Sequence, residues 1–426
     1  MNTPPAVGMS AWRFVTTFGV ISLLADVVYE GARSITGPLL ASLGATAVVV
    51  GVVTGIGEAA ALLLRLVSGP LTDRTGRFWR WAIAGYFLTV ITVPFLGVVG
   101  VLWAAAALVI AERVGKAVRS PAKDTLLSYA TAVTGRGRGF AVHEAMDQIG
   151  AVAGPLAVAA MLFAFGGDFG PSMALLAIPG VGVVMLLLWL RARVPEPARY
   201  EVAAEPVVEP VAEPVAEPVA EPVAEPVVAP VVEPVAEPVV AQGFLRSLPR
   251  SFWVYSGFSA ATMVGFTTFG VLSFHQVQQG IVPVAVVPVI YAAAMAADAV
   301  AALISGWAYD RVGARVLGAL PVLAALVPVL AFAHHVAPVV AGALVWGAAV
   351  GIQESTLRAV VADLIGPARR ATAYGVYAAV IGTAAAAGGA LTGLLYSHSV
   401  ALLIAVVIAV QLAAMATLPL VRRQAG

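Results

Sequence analysis

Long apolar stretches recur along the chain, separated by short breaks that carry glycine, proline or charge. A helix that spans a bilayer needs about 20 mostly apolar residues, about twice the length of a spanning strand. A helix also satisfies its own backbone hydrogen bonds in lipid. We therefore predict an all-α membrane protein with twelve transmembrane helices, numbered here as spans 1 to 12, at residues 12–40, 45–69, 80–99, 101–119, 138–164, 172–191, 251–279, 284–308, 316–334, 338–363, 372–395 and 399–420.

The composition supports this interpretation. Of the 426 residues, 60% are apolar and 11% are charged, and the mean hydropathy is +0.94. Soluble globular domains are about half apolar and about a quarter charged, so this composition excludes a soluble enzyme. The sequence contains no cysteine, which excludes disulfides and thiolate metal sites.

Positive charge alternates between the two sides of the predicted spans. The breaks near residues 42, 100, 167, 280, 337 and 397 contain no Lys or Arg, and we call this side the neutral end. Basic connections stay in the cytoplasm, so we expect a multi-pass protein of the cell membrane with both termini cytoplasmic. The other side, the basic end, carries Arg74, Arg77, Arg80, Lys123, Arg136, Arg138, Arg191, Arg193, Arg246, Arg250, Arg311, Arg315, Arg369, Arg370, Arg422 and Arg423.

A repeat of low complexity divides the chain. Residues 205–240 form nine tetrads of the type Glu-Pro-Val-Ala or Glu-Pro-Val-Val, in which Ala229 replaces one glutamate. Proline at every fourth position excludes a helix and favours an extended spacer of the polyproline II type. This predicts an N-terminal six-helix bundle at 1–194, a cytoplasmic linker at 195–242 and a C-terminal six-helix bundle at 243–426. The repeat is interpreted either as a tether or as a docking site for a cytoplasmic partner.

The two halves also repeat each other. A loop with the pattern Gly-x-x-x-Asp-Arg-x-Gly follows span 2 and recurs after span 8, with its aspartates 237 residues apart, and a segment that runs from arginine to aspartate closes spans 4 and 10. Two patterns at nearly the same offset indicate a duplicated six-span unit, as in one large class of transporters. The residues are Gly69, Asp73, Arg74, Gly76 and Arg77; Asp310, Arg311 and Gly313; Arg119 and Asp124; and Arg358 and Asp363.

With these motifs the chain resembles the major facilitator superfamily over its whole length apart from the Glu-Pro repeat. The loop from Gly69 to Arg77 is similar to the most specific signature of that family. Gly150, Gly154 and Pro155 in span 5 resemble the motif of its antiporter branch, although the glycines that usually follow are absent. The resemblance implies two pseudo-symmetric bundles that alternately open a central cavity, lined by spans 1, 4, 7 and 10, to either side of the membrane.

Three of these four lining spans carry charges within the apolar region. A charge at the centre of a bilayer costs about 2.5–3.5 kcal/mol on insertion scales, so each one needs a partner or a function. Two interpretations are open for these clusters: ion pairs within one helix, such as Glu112 with Lys116, or a polar cavity that binds a proton and a solute. The residues are Asp26, Glu30 and Arg33 in span 1; Glu112, Arg113, Lys116 and Arg119 in span 4; and Gln353, Glu354 and Arg358 in span 10. Span 7 offers only uncharged polar groups, at Thr267, Thr268, His275 and Gln276.

Asp26 is the candidate proton carrier because it lies near the middle of span 1. Burial favours the neutral form of a carboxyl group and a neighbouring arginine favours the ionised form, and the sequence leaves open which effect dominates. His143, Glu144 and Asp147 in span 5 form either a proton relay or gate, or a structural hydrogen-bonded cluster; no metal site is expected because a third ligand is lacking. Three further residues, Glu58, Arg65 and Asp298, are expected to make lateral helix contacts.

The two Asp-Arg loops suggest a latch at the basic end. Asp73 and Asp310 are placed to cap helix N-termini, while Arg74, Arg77 and Arg311 could pair with Asp124 and Asp363. The alternative is that these charges serve only membrane topology. In span 5, Gly150 and Gly154 provide a close-packing surface and Pro155 a kink.

From these features we expect a secondary transporter that exports a small molecule in exchange for protons. A symporter or uniporter of a polar or anionic solute is the alternative, and a non-transporting scaffold a third. No P-loop, no nucleophile elbow and no aromatic platform among the basic loops is found, so we expect no enzymatic activity, no cofactor and no nucleic-acid partner. The other partners expected are protons and the lipid bilayer, with the protein acting as a monomer.

Overall fold

The computed structural model describes residues 8–204, 248–365 and 370–425, and the regular elements in these ranges are all helices. The predicted all-α fold is confirmed. The α-helices are Ala11–Ser34, Thr36–Ser42, Ala47–Leu63, Arg65–Thr75, Phe78–Leu96, Leu102–Thr134, Arg136–Ala164, Phe169–Ala174, Ala177–Arg193, Arg199–Ala204, Arg250–Val264, Phe269–Gln278, Val287–Val312, Ala319–Ala331, Val336–Leu364, Arg370–His398 and Val400–Ala425, and short 3₁₀ helices occupy Val284–Val286 and Gly313–Gly318.

Ten helical stretches of the described chain are long and apolar enough to cross a membrane. One of them, Val284–Ala331, is 48 residues long and contains predicted span 8 and most of predicted span 9. The helix of predicted span 4, Leu102–Thr134, is outside the ten, and it carries the charges from Glu112 to Asp124. The number of twelve spans therefore stays a prediction. Large apolar side chains such as Leu303 and Ile178 are exposed on the outer surface, as contact with lipid requires.

Side-chain caps and glycines mark where several helices begin and end. Ser10 and Thr46 each accept a hydrogen bond of 3.4 Å from the backbone N–H three residues later, which satisfies a free donor of the first helical turn. At the basic end, Gly76 and Gly313 follow spans 2 and 8, and both have φ +60°. This left-handed backbone is accessible to glycine without steric cost, so the duplicated loops share a conformational requirement as well as a sequence pattern.

Replacing Gly76 by alanine is therefore expected to destabilise the protein by about 1–2 kcal/mol, because a Cβ is disfavoured at positive φ. Gly69 is the matched control: it lies inside the helix Arg65–Thr75, and a Cβ there would meet no atom within 4 Å. Gly69→Ala should be neutral or stabilising by up to about 1 kcal/mol. Thermal unfolding of the purified variants measures both effects, and an equal response of the two variants would contradict this explanation.

The helices pack into two bundles, one from predicted spans 1 to 6 and one from predicted spans 7 to 12. Residues 195–204, which the sequence analysis assigns to the linker, pack against the first bundle: the Tyr200 ring contacts Phe14, and its hydroxyl donates a 2.8 Å hydrogen bond to the carbonyl of Met9. Burial raises the pKa of Tyr200 to about 12. The repeat at 205–240 lies outside the described residues, so the division into 1–194, 195–242 and 243–426 stays a prediction.

Glycines bring the bundles into contact near the neutral end. A Cβ on Gly51 of span 2 would overlap the carbonyl oxygen of Gly389 of span 11, and one on Gly37 would overlap that of Gly270 in span 7. Thr54 and Thr268 join spans 2 and 7 through a hydroxyl hydrogen bond of 2.9 Å. The bundles therefore meet backbone to backbone at this end.

Span 5 packs against span 1 through its glycine motif. A Cβ on Gly150 would lie 2.5 Å from the carbonyl oxygen of Leu23 and 2.7 Å from the Cβ of Asp26, and one on Gly154 would lie 2.5 Å from the carbonyl oxygen of Val27. Pro155 lies within the same continuous helix. The motif thus supports the backbone of span 1 where that helix carries Asp26.

Candidate functional site

A polar cavity of about 300 Å³ lies between the bundles and adjoins a smaller one of about 120 Å³ on the side of the neutral-end contacts. The larger cavity reaches the basic end, where its lining residues Asp124 and Glu144 are exposed. In the direction of the neutral end, the smaller cavity is bounded by Thr54 and Thr268. The cavity is therefore accessible from the basic end and obstructed at the neutral end.

Five charged side chains from three spans form an ion-pair network beside the cavity. Arg33 lies 3.4 Å from Glu30 and 2.6 Å from Glu58, and Arg113 lies 3.8 Å from Glu58 and 3.1 Å from Glu112. Glu58 thus connects spans 1, 2 and 4, a more central position than the lateral contact expected from the sequence. The expected pairing of Glu112 with Lys116 is not formed, because Glu112 faces Arg113.

One hydrogen bond in this region joins the two bundles. The hydroxyl of Tyr291 in span 8 donates to Glu30 in span 1 over 2.5 Å. Phe269 and Trp346 stack around Tyr291, with ring centroids 4.5 Å and 6.1 Å away. The aromatic cluster of the second bundle therefore orients a hydroxyl onto the charge network of the first.

The carboxylates of Asp26, Asp298 and Glu354 line the cavity and form no ion pair or hydrogen bond with any side chain that the structure describes. Asp26 and Asp298 are each 5% exposed, and Glu354 is exposed to the cavity. Asp298, for which the sequence predicts a lateral helix contact, lies against Gly351 of span 10 and also lines the cavity. Burying an ionised carboxylate without a partner costs free energy. These groups are therefore candidates for binding a proton or a cation.

Two cations of span 4 are held by aromatic rings. Lys116 Nζ lies 4.7 Å from the Tyr29 ring centroid and 3.5 Å from its hydroxyl. The Arg119 guanidinium lies 5.0 Å from the Tyr29 ring and 4.5 Å from the Tyr86 ring, and its Nε is buried without a hydrogen-bond partner. Within the described ranges, neither cation forms an ion pair.

Near the basic end, spans 1, 4 and 5 share a second cluster. Asp147 lies 3.5 Å from Lys123 and 3.5 Å from His143, whose Nε2 is 2.9 Å from the Ser22 hydroxyl. Glu144 lies apart from these contacts and is exposed to the cavity. Among the described residues, no three His, Asp or Glu side chains are grouped so that they could hold a metal ion.

The predicted latch residues are apart in this structure. The side chains of Asp73, Arg74 and Arg77 are exposed, and Asp124 lies 3.9 Å from Lys123. In the second loop, Arg311 stacks on Trp307 at 3.8 Å and Asp310 is exposed. The side chains of Arg358 and Asp363 lie outside the described residues, so pairs that involve them stay predictions.

The sequence analysis missed several residues of the site, chiefly the aromatic ones. Tyr29 lies three residues after Asp26, on the same face of the helix, and that spacing could have identified it. Tyr86, Tyr291 and Trp346 carry no such signal, because aromatic residues are common in membrane helices.

Comparison with known proteins places the chain in one group. A family model described as Major Facilitator Superfamily matches residues 18–334 and, in a second match, residues 282–425. An uncharacterised protein of Mycobacterium tuberculosis is 60% identical over 413 residues, which cover 97% of this chain and 93% of that protein. An uncharacterised MFS-type transporter of Methanocaldococcus jannaschii is 23% identical over 188 residues, 44% of this chain and 47% of that protein.

Two solved structures share the fold. A mutant of the nucleoside transporter NupG superposes with a TM-score of 0.74 at 12% identity, covering 95% of this chain and 99% of that one. An inward-facing, unoccupied bacterial homologue of the human lysosomal transporter Spinster superposes with a TM-score of 0.68 at 12% identity, covering 100% of this chain and 97% of that one. Likeness at this identity shows the fold alone.

Proposed function

Because the chain belongs to the Major Facilitator Superfamily and is a multi-pass membrane transporter, we propose that it exports a small polar molecule in exchange for protons by alternating access. The observation that carries the proposal is the central cavity, which is polar, lies between the bundles and is accessible from one end only. A cavity of this kind allows a solute to enter from one side while the other side stays closed.

The distribution of charge supports an orientation for the protein. Basic loops stay in the cytoplasm, so the basic end is assigned to the cytoplasm of the cell and the described conformation is the inward-open one. The latch pairs, Arg74 or Arg77 with Asp124 and Arg311 with Asp363, each lie within one bundle, so the latch would act through a shift of helices inside each bundle when the basic end closes. The protein is proposed to work in the cell membrane as a monomer.

Asp26 is the proposed proton carrier. It is 5% exposed and has no ion-pair partner among the described side chains, and it lines the cavity together with Lys116 and Arg119. Asp147, which contacts His143 and Lys123, also lines the cavity, between Asp26 and the basic end. Asp147 and Glu144 are therefore proposed to pass protons between Asp26 and the cytoplasm.

Proton exchange is tested in vesicles that contain the purified protein and a pH-sensitive dye, with an acidic lumen. We expect at least one compound from a panel of small polar solutes to raise the lumenal pH as it enters, because each uptake event releases protons. Asp26→Asn should reduce this signal to the level of empty vesicles, while the exposed Glu196→Gln leaves it unchanged. Solute uptake that leaves the pH constant and is equal in Asp26→Asn would overturn proton coupling, and acidification would favour the symporter instead.

A further inference from the structure

Apart from Asp26 and Glu144, which are assigned to proton transfer above, the charges without an ion-pair partner are segregated between the two walls of the larger cavity: the first bundle forms a basic wall and the second bundle an acidic wall. Among its described lining residues, the second bundle contributes two carboxylates, Asp298 and Glu354, and no cation. The first bundle contributes Lys116 and Arg119, which contact aromatic rings rather than carboxylates. The two arginines of the ion-pair network, Arg33 and Arg113, also belong to the first bundle, but they are already paired with glutamates.

The acidic wall offers a site for a positive group. Asp298 is 5% exposed, and its Oδ1 lies so close to span 10 that a Cβ on Gly351 would be 2.8 Å away. Glu354 follows Gly351 by three residues, on the same face of that helix, and is exposed to the cavity. A carboxylate removed from water requires a cation or a hydrogen-bond donor, and an ammonium group supplies both.

The basic wall offers a site for a negative group. The rings of Tyr29 and Tyr86 attract Lys116 and Arg119, but an uncharged ring does not neutralise a positive charge. The buried Nε of Arg119 has a hydrogen to donate and no acceptor in the described structure. A carboxylate would accept from Arg119 and Lys116 together through charge-assisted hydrogen bonds.

From this segregation we propose that the transported solute is a zwitterion of about amino-acid size, with its ammonium group held by Asp298 and Glu354 and its carboxylate held by Lys116 and Arg119. The proposal rests on the transport function proposed above. The cavity volume of about 300 Å³ suits one small organic molecule.

Exchange with protons follows from the same arrangement. A carboxyl group that holds a proton is neutral and loses its attraction for an ammonium group. Asp298 and Glu354 would therefore bind either a proton or the solute, so that the two occupy the acidic wall in turn.

The test is a thermal-shift measurement on the purified full-length protein in detergent. The probes are ω-amino acids from glycine to 6-aminohexanoate, each compared at equal concentration with the amine that lacks its carboxylate and the acid that lacks its ammonium group. We expect at least one zwitterion to raise the unfolding temperature while its matched amine and acid have no effect. The inference is overturned if an amine or acid stabilises as strongly as its zwitterion, or if no zwitterion in the series stabilises the protein.

Two variants locate the site. Asp298→Asn and Lys116→Gln should each weaken binding of the stabilising zwitterion on the order of 30-fold or more, because each leaves a charge of the solute unpaired. Glu196→Gln, in an exposed ion pair outside the cavity, should bind normally. Equal affinity in all three variants would overturn the assignment, and Glu354→Gln replaces Asp298→Asn if the latter does not fold.

The binding assay needs neither a membrane nor a gradient, so its failure is distinct from a failure of transport. A zwitterion that binds but is not moved by a pH gradient would overturn the proposed exchange and leave the substrate class standing. Proton-driven transport of a solute with a single charge would support the proposed exchange and overturn the substrate class.

Discussion

Oxidation of a double variant with cysteine at positions 54 and 268 is expected to reduce transport to the level of empty vesicles, and reduction should restore it. Thr54 and Thr268 belong to different bundles, and their hydroxyl oxygens are 2.9 Å apart at the neutral end. A disulfide needs about 2.05 Å between its sulfur atoms, and cysteine sulfurs in place of these two oxygens would start close to that separation. The bond would hold the neutral end closed, and alternating access requires that end to open.

The chain contains no cysteine of its own, so the two introduced thiols can form a disulfide only with each other within one molecule. The single variants Thr54→Cys and Thr268→Cys are the controls: each loses the hydroxyl contact and neither can form the bond. The transport rate of each single variant should be the same under oxidant as under reductant. A cross-link verified by mass spectrometry that leaves solute flux intact would show that the neutral end does not open during transport.

Replacing Glu58 by glutamine is expected to lower the free energy of unfolding by about 2 kcal/mol. This lies between the values of about 0–1 kcal/mol for exposed pairs and about 3–5 kcal/mol for broken buried pairs, because the side chains of Glu58 and Arg33 are 31% and 27% exposed. The amide keeps the volume of the side chain but removes the negative charge that faces both Arg33 and Arg113. Arg33 would retain Glu30 at 3.4 Å, and Arg113 would retain Glu112 at 3.1 Å. Arg33 and the buried Arg113 would then share a smaller negative charge, and transport should fall along with stability.

Glu196 provides a control with the same geometry in water. Its carboxylate lies 2.6 Å from Arg199, the distance that separates Glu58 from Arg33, but the Glu196 side chain is 64% exposed. Exposed pairs contribute about 0–1 kcal/mol, so Glu196→Gln should change the stability little. Chemical or thermal unfolding in one detergent measures both variants. Equal losses would indicate that the position of Glu58 beside the cavity has no energetic consequence.

Much of the fold follows from local features of the chain. Apolar runs of about 20 residues determine the helices, and the alternation of basic and neutral breaks separates the two ends. The duplicated loops reveal two related halves, down to Gly76 and Gly313, which share a φ of +60°. These features depend on neighbouring residues, so a reader of the sequence can recover them. The number of twelve spans stays a prediction, because span 4 carries too many charges to be identified by hydropathy alone.

The candidate site is predictable only in part. The sequence shows that Asp26, Glu30, Glu112 and Lys116 lie inside apolar helices, because hydropathy and helical period are local properties. It does not show that Lys116 contacts an aromatic ring while Glu112 contacts its own neighbour Arg113, since both arrangements fit the same spacing.

The sequence by itself determined which side chains enter the membrane and on which face of each helix they lie. Only the tertiary structure decided their partners. Glu58 contacts Arg33, 25 residues away, and Glu30 accepts a hydrogen bond from Tyr291, 261 residues away. Such contacts depend on which helices become neighbours and how closely their glycines let them approach. Helical periodicity carries no information about either, and for that reason Asp298 could be assigned to the cavity only after the bundles were assembled.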